Sequence, residues 1–295
     1  MRTTLPVADT VRDVTFSIVA WDPGSTGAPD GAQWGVAVAS KFLSVGAVVP
    51  GVRAPLGAIA TQSFANLRYI PDGFASLSEG HSAEDTLARL VAADEGRDQR
   101  QAGIVDGLGG SATFTGAECM PWAGGVTGPG YAIQGNILAG PQVVDAMLEA
   151  FLAGGPDAPL ADRLYAALLA GDRAGGDSRG RQSAALLVGG IGAGYGGGSD
   201  VALDLRVDDH HDPVLELGRL MGIHALLFGK PETTLPLEGD VALRLRRALD
   251  ALGYDDPDLN RALERAAGVE NLEERLVPGT VDPVVLEYLE GRARA

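Results

Sequence analysis

WGVAVASKFLSVGAVVP, Trp34 to Pro50, is the stretch whose reading decides the architecture. It is apolar, rich in small and β-branched residues, and broken by one cation, Lys41, directly after Ser40. The run from Trp34 to Ser40 predicts a strand buried on both faces, because it lacks the alternation that would turn one face to water. Upstream, Thr15-Phe16-Ser17-Ile18-Val19-Ala20 predicts a second strand, closed by Asp22-Pro23-Gly24, and a Gly/Pro/Asp-rich loop from Asp22 to Ala32 joins the two. Paired antiparallel, the strands bring Thr15 to the Ser40–Lys41 end. Desolvation favours the neutral, basic form of an amine, so a hydroxyl nucleophile beside a lysine there is a catalytic arrangement. A core hairpin whose lysine snorkels to water is the alternative.

Outward from this hairpin, residues 1–14, with Asp9, Arg12 and Asp13 among small residues, read as a flexible extension. A strand is expected at 56–62, followed by the polar Gln62, Ser63 and Asn66. Ser82 with Asp85 resembles a capping box, and Leu87, Leu90 and Val91 give that helix its apolar face. Ala102–Asp106 and Ser111–Thr115 alternate around Gly107–Gly110, which predicts a hairpin. Tyr131–Gln134 is a short strand before Gly135-Asn136. Pro141 opens a helix with Val143, Val144, Met147, Leu148 and Phe151 at helical spacing. A further helix runs from Leu160 to Ala170 and stops at Gly171. Ser183–Val188 and Val201–Val207 make another strand pair. A helix from Asp212-Pro213 to Phe228 turns Val214, Leu217, Leu220, Met221, His224 and Phe228 inward. Helix pairs between runs of antiparallel strands predict a layered α+β domain at 15–229. Residues 230–239 read as a linker, and 240–295 as a small helical domain with a stripe of Leu243, Leu245, Leu249 and Leu252.

At 295 residues the chain is long enough for one large domain and a small one. Its 42 glycines are scattered through apolar segments, which argues for tight turns and close backbone approaches. The net charge of −16 repels nucleic acid and anionic membrane surfaces, so neither is expected as a partner. A single cysteine, Cys119, excludes an internal disulfide framework and fits a reducing compartment. No run of about 18 apolar residues is present, and the first fourteen residues lack the apolar core of a signal peptide. The expected setting is the cytoplasm.

TFSIVAWD, WGVAVASKFLSVGAVVP, ATQSFAN, FTGAEC followed by PWAG, QGNILAG, GGDSRGRQSAALLV and VDDHHDPVLEL, in that order, resemble the family catalogued as domain of unknown function 1028. The resemblance covers about Thr15 to Phe228. That family is similar to N-terminal-nucleophile (Ntn) hydrolases, which implies a four-layer αββα sandwich. It also implies a nucleophile at Thr15, the residue matching the family's strand start, with its own α-amine as base. An α-amine titrates near neutral pH, which suits it to the task. Fourteen residues precede Thr15 here, so Lys41 stands as the substitute base. The segment LGYDDPDLNRALERAAGVENLEERL resembles the small peptidoglycan-binding-like module often appended to this family. A docking or dimerisation element, and hence a homo-oligomer, is the alternative reading of this tail.

Other side chains carry candidate chemistry. Asn136 offers an amide to an oxyanion, or caps a turn. Arg179 and Arg181 form a fork for a carboxylate, or pair with Asp177 on the surface. Ser40, Gln62, Gln182 and Ser183 are expected to line the same substrate pocket. Gly192, Gly194 and Gly197 match G-x-G-x-x-G, but a strand follows where dinucleotide binding requires a helix. Asp208-Asp209-His210-His211-Asp212 contains metal-ligand residue types, yet adjacent residues rarely converge on one ion, and no metal or cofactor is expected. Cys119 reads as a buried thiol. The expected activity is hydrolysis of an amide bond in a small anionic N-acyl or peptide-like substrate. A non-catalytic binding protein on the same fold is the rival.

Overall fold

Strand β1 (Thr15–Asp22) pairs antiparallel with β2 (Gln33–Ser40) in the register Thr15↔Ser40, Trp21↔Trp34. The structure is a computed structural model and describes residues 15–24 and 31–294. The extension at 1–14 and most of the Asp22–Ala32 loop lie outside the described residues. The strands after this hairpin are β3 (Pro50–Arg53), β4 (Gly57–Ser63), β5 (Arg100–Asp106), β6 (Ser111–Thr115), β7 (Gly124–Gly128), β8 (Tyr131–Asn136), β9 (Ser183–Gly190) and β10 (Val201–Val207). They build two antiparallel sheets, a larger one in the order β10–β9–β2–β1–β8–β7 and a four-stranded one in the order β3–β4–β5–β6.

Alternation along the central strands decides which side chain faces what. Thr15, Ser17 and Val19 of β1 point toward the second sheet, as do Trp34, Val36, Val38 and Ser40 of β2. Val19, Trp34, Val36 and Val38 join Ala58, Ala60 and Val105 in one buried apolar cluster between the sheets. Trp34 Nε1 also donates to the Asp106 carbonyl at 3.0 Å. The opposite face of the larger sheet receives two helices, α4 (Leu160–Arg173) over β1 and β2 and α3 (Gln142–Ala153) over β8 and β7. Helices α1 (Tyr69–Ser78) and α2 (Ala83–Ala93) cover the second sheet. The result is a mixed α+β unit with both faces of β2 buried, as an unbroken apolar run requires.

Two elements form that the sequence reading did not assign, and one helix runs past its expected end. Helix α1 forms although it contains Pro71 and Gly73. Pro71 sits in the first turn, where a missing N–H costs nothing, and Gly73 lets Ile59 approach to 2.6 Å of where a Cβ would stand. Helix α4 passes through Gly171 and ends at Arg173. A Cβ on Gly171 would lie 2.6 Å from Met147 Cγ, so this glycine admits close packing instead of stopping the helix. Strand β7 consists mostly of glycine and carries no apolar alternation to announce it.

The chain divides into two compact units, Met1–Gly218 and Arg219–Ala295. The division falls inside helix α5 (Pro213–Phe228), ahead of the 230–239 segment. The second unit holds α6 (Gly239–Ala251), α7 (Leu259–Glu270) and α8 (Pro283–Arg294), with two short strands, β11 (Leu235–Pro236) and β12 (Thr280–Val281). Its core is Leu245, Leu249, Leu263, Leu286 and Leu289, against which Leu226, Leu227 and Leu235 pack. Asp258 caps α7 by accepting from the N–H groups of Asn260 and Arg261. Of the expected apolar stripe, Leu245 and Leu249 are buried, whereas Leu243 is exposed. Phe228, expected to face inward, is also exposed. No helix among the described residues is long and apolar enough to cross a membrane.

Candidate functional site

Four strand ends meet at one edge of the larger sheet. The registers Thr15↔Asn136, Thr15↔Ser40 and Ser40↔Ser183 set Asn136, Thr15, Ser40 and Ser183 in a row across β8, β1, β2 and β9. All four are buried polar residues. Thr15 Oγ1 lies 3.2 Å from Ser40 Oγ. Ser183 is spent elsewhere: its hydroxyl donates to the Phe42 carbonyl and accepts from the Val45 N–H at 3.1 Å. It therefore anchors the turn after β2.

Beneath this row runs a buried network of side-chain amides. Gln62 Nε2 donates to the Thr15 carbonyl at 3.2 Å and to Gln101 Oε1 at 2.8 Å, while its Oε1 accepts from Ser17 Oγ. Gln134 Nε2 donates to Ser17 Oγ at 2.7 Å. Asn136 Nδ2 donates to Gln101 Oε1 at 2.9 Å and to the Thr15 carbonyl at 3.4 Å. Both amide hydrogens of Asn136 are thus taken, leaving none for an oxyanion in this geometry. Asn136 Oδ1, by contrast, is buried with no hydrogen-bond partner among the described residues. Such an orphan acceptor costs free energy unless something at the site uses it. Ile137, next in sequence, has φ of 48°, a strained position for a β-branched residue.

Lys41 does not join Thr15. It lies just past the end of β2, where it is exposed and its Nζ donates to the Arg181 carbonyl at 3.2 Å. The burial on which its role as a base depended is absent. Its backbone N–H, however, donates to Asp177 Oδ2 at 2.7 Å. Asp177 is buried and also accepts from the Arg179 N–H at 2.8 Å and from the Arg179 guanidinium. Burial pushes the Asp177 carboxyl above its ordinary value, opposed by these donors.

On the helix side of the row lies a cavity of about 320 Å³, at the small end of the range for ligand pockets. Ser40, Asp172, Arg173, Asp177, Arg181 and His211 supply its polar lining, and Phe16, Ala39 and Pro213 its apolar wall. Arg179 is absent from this lining and is ion-paired to Asp177 at 3.3 Å. Arg181 reaches the cavity but is paired to Asp172 at 2.7 Å and to Asp212 at 3.4 Å. The two arginines expected to clamp a carboxylate are therefore already engaged by the protein's own. Gln182 turns away, donating to Asp209 at 3.1 Å, and Gln62 remains inside the amide network. Among the described residues no group of three or more His, Cys, Asp or Glu side chains is placed to hold a metal ion. The G-x-G-x-x-G stretch lies between β9 and β10, and the strand β10 follows it. Cys119 is half-buried, and burial pushes its thiol pKa up, away from the reactive thiolate.

The model described as "Family of unknown function (DUF1028)" matches residues 15–217. The chain belongs to this family. A solved structure, protein SPO2555 from Silicibacter pomeroyi, is likewise assigned to it. The two share 30% identity and a TM-score of 0.62, over 78% of this chain and 92% of that one. A second model, described as "Putative peptidoglycan binding domain", matches residues 226–289, within the second unit. Among curated proteins, none matches the chain.

Sequence reasoning thus names Thr15, Ser40, Asn136 and Ser183, which the DUF1028 unit gathers at one edge, and Arg181, which borders the cavity. It misses Asp172, Arg173 and the inward glutamines Gln101 and Gln134. A glutamine at an inward position of a buried strand was the available signal for the network. Nothing comparable marks Arg173, because Gly171 reads as the end of its helix.

Proposed function

We propose that the DUF1028 unit is an Ntn-type four-layer αββα sandwich that hydrolyses an amide bond in a small N-acyl or peptide-like carboxylate. The order helix pair, sheet, sheet, helix pair supports the fold assignment. The observation that carries the activity is the Thr15 hydroxyl, 3.2 Å from Ser40, with Ser40 itself lining the 320 Å³ cavity. Thr15 Oγ1 attacks the substrate carbonyl carbon, its proton passes to a base, and the leaving amine takes a proton as the C–N bond breaks. Water then cleaves the acyl ester on Thr15. Lys41 is turned away, so the base in this reading is the Thr15 α-amine, which requires that the Val14–Thr15 bond be cut. Gln62 and Asn136 act as positioning residues, fixing the Thr15 carbonyl from two sides. The single cysteine accords with a reducing, cytoplasmic setting.

Burial favours a second reading: Thr15 is only 1% exposed, and both Asn136 amide hydrogens are occupied. A protein that merely binds a ligand in the cavity needs neither group free. Intact mass and a Thr15→Ala variant separate the two. Hydrolysis predicts a species shortened by the fourteen residues before Thr15, and turnover of N-acyl amino acids that Thr15→Ala abolishes while binding persists. Full activity in Thr15→Ala overturns the mechanism. Binding without turnover in either protein selects the second reading.

A further inference from the structure

Arg173 lines the cavity from the last turn of α4, and among the described residues no carboxylate pairs with it. Its neighbours are otherwise matched in charge. Asp172 Oδ1 is held by Arg181 Nε at 2.7 Å, Asp177 by Arg179 at 3.3 Å, and Asp212 lies 3.4 Å from Arg181 and 3.5 Å from His211. In a chain of net charge −16, a guanidinium left unmatched at a cavity is a local source of positive potential. It is also a planar fork suited to a carboxylate.

We propose that Arg173 is the specificity-determining residue of this cavity, docking the carboxylate of a small N-acyl amino acid whose acyl-amide end lies toward Ser40. The inference rests on the reading of the cavity as the substrate site, and it names the substrate class and the residue that selects it. The lining divides accordingly. Arg173 offers charge, Phe16, Ala39 and Pro213 offer apolar contact for a short side chain, and Ser40 completes the lining at the end of β2. The volume of about 320 Å³ suits a compound of that size. A dicarboxylate is disfavoured, because the second anion would face Asp172 or Asp177 with their arginines already engaged.

The test is binding, measured by calorimetry in a Thr15→Ala background so that turnover plays no part. The probes are N-acetyl-L-alanine and its uncharged N-methylamide. The acid should bind at least about tenfold tighter than the amide, the usual worth of a hydrogen bond to a charged group. Adding Arg173→Leu should weaken the acid by about tenfold or more and erase the preference, with Arg173→Lys recovering part of it. Arg89→Leu, on the exposed face of α2, should change nothing. Unchanged melting of the Arg173 variants excludes misfolding as the cause. A preference that survives Arg173→Leu, or no preference for the acid at all, overturns the proposal whatever Thr15 does. Loss of the preference in Arg173→Leu supports it even if no turnover is ever found.

Discussion

Gly103 on β5 faces the Gln134 side-chain amide on β8 with no room between them for a β-carbon. The contact is where the two sheets come together over the amide network, and Gln134 is fully buried there. Gly103→Ala would drive a methyl group into Gln134 Oε1. The amide would have to leave Ser17 Oγ, at 2.7 Å, and Thr113 Oγ1, at 3.2 Å. Overpacking and a stranded buried amide each cost about 1–3 kcal/mol. Gly103→Ala should therefore lower the unfolding free energy in urea by about 2–4 kcal/mol. A change under about 0.5 kcal/mol, the ordinary range for a surface substitution, would show that the network is not tightly packed.

That glycine also shows where sequence reading stops. The hairpin β1–β2 is legible because an unbroken apolar run fits only a strand covered on both sides, and Thr15, Ser40 and Asn136 follow from it as strand-end residues. Gly103 reads as one more small residue in a strand; its purpose appears only when Gln134, from a different sheet, arrives opposite. Gly171 misleads for the same reason, since its meaning is Met147 and not a helix end. Lys41 misleads differently. It is adjacent to Ser40 in sequence, but β2 ends at Ser40 and the chain leaves the buried sheet before Lys41. Arg179 takes the alternative the sequence offered, pairing with Asp177 two residues away, whereas the carboxylates that occupy Arg181, Asp172 and Asp212, come from other segments.

Acid should destabilise the fold through Asp94. Its carboxylate is held by Arg100 at 2.9 Å, by the Asn66 amide at 2.9 Å and by the Gly96 N–H at 2.9 Å. The bond from Arg100 is the largest influence, and together these donors keep the Asp94 carboxyl well below the usual carboxylate range. A depressed folded-state pKa gives stability that is present above the unfolded value, about 3.9, and is lost as pH falls through the folded one. Wild type should thus exceed Asp94→Asn in stability at pH 7, and the gap should narrow below about pH 4. Urea titrations of both proteins at pH 7 and pH 3 check this. A gap that is constant with pH would mean that Asp94 contributes by packing and not by charge.

The second unit should fold by itself, provided that it is cut in the right place. Its core of Leu245, Leu249, Leu263, Leu286 and Leu289 is contiguous and draws on Leu226 and Leu227 from the end of α5. Arg275 ties that end down: its guanidinium donates to the carbonyls of Ala225 and Leu226 and pairs with Asp282, with both Arg275 and Asp282 buried. A segment of residues 219–294 retains all of these partners. One beginning at 237 loses Leu226, Leu227 and Leu235 and leaves the Arg275 guanidinium short of two acceptors, a loss of about 1–3 kcal/mol for the hydrogen bonds alone. In a unit of under 80 residues that is a large share of the stability available. We expect 219–294 to melt cooperatively by circular dichroism, and 237–294 to melt at a markedly lower temperature or without cooperativity. Equal melting of the two would remove α5 from the core of this unit and move its boundary to 230–239.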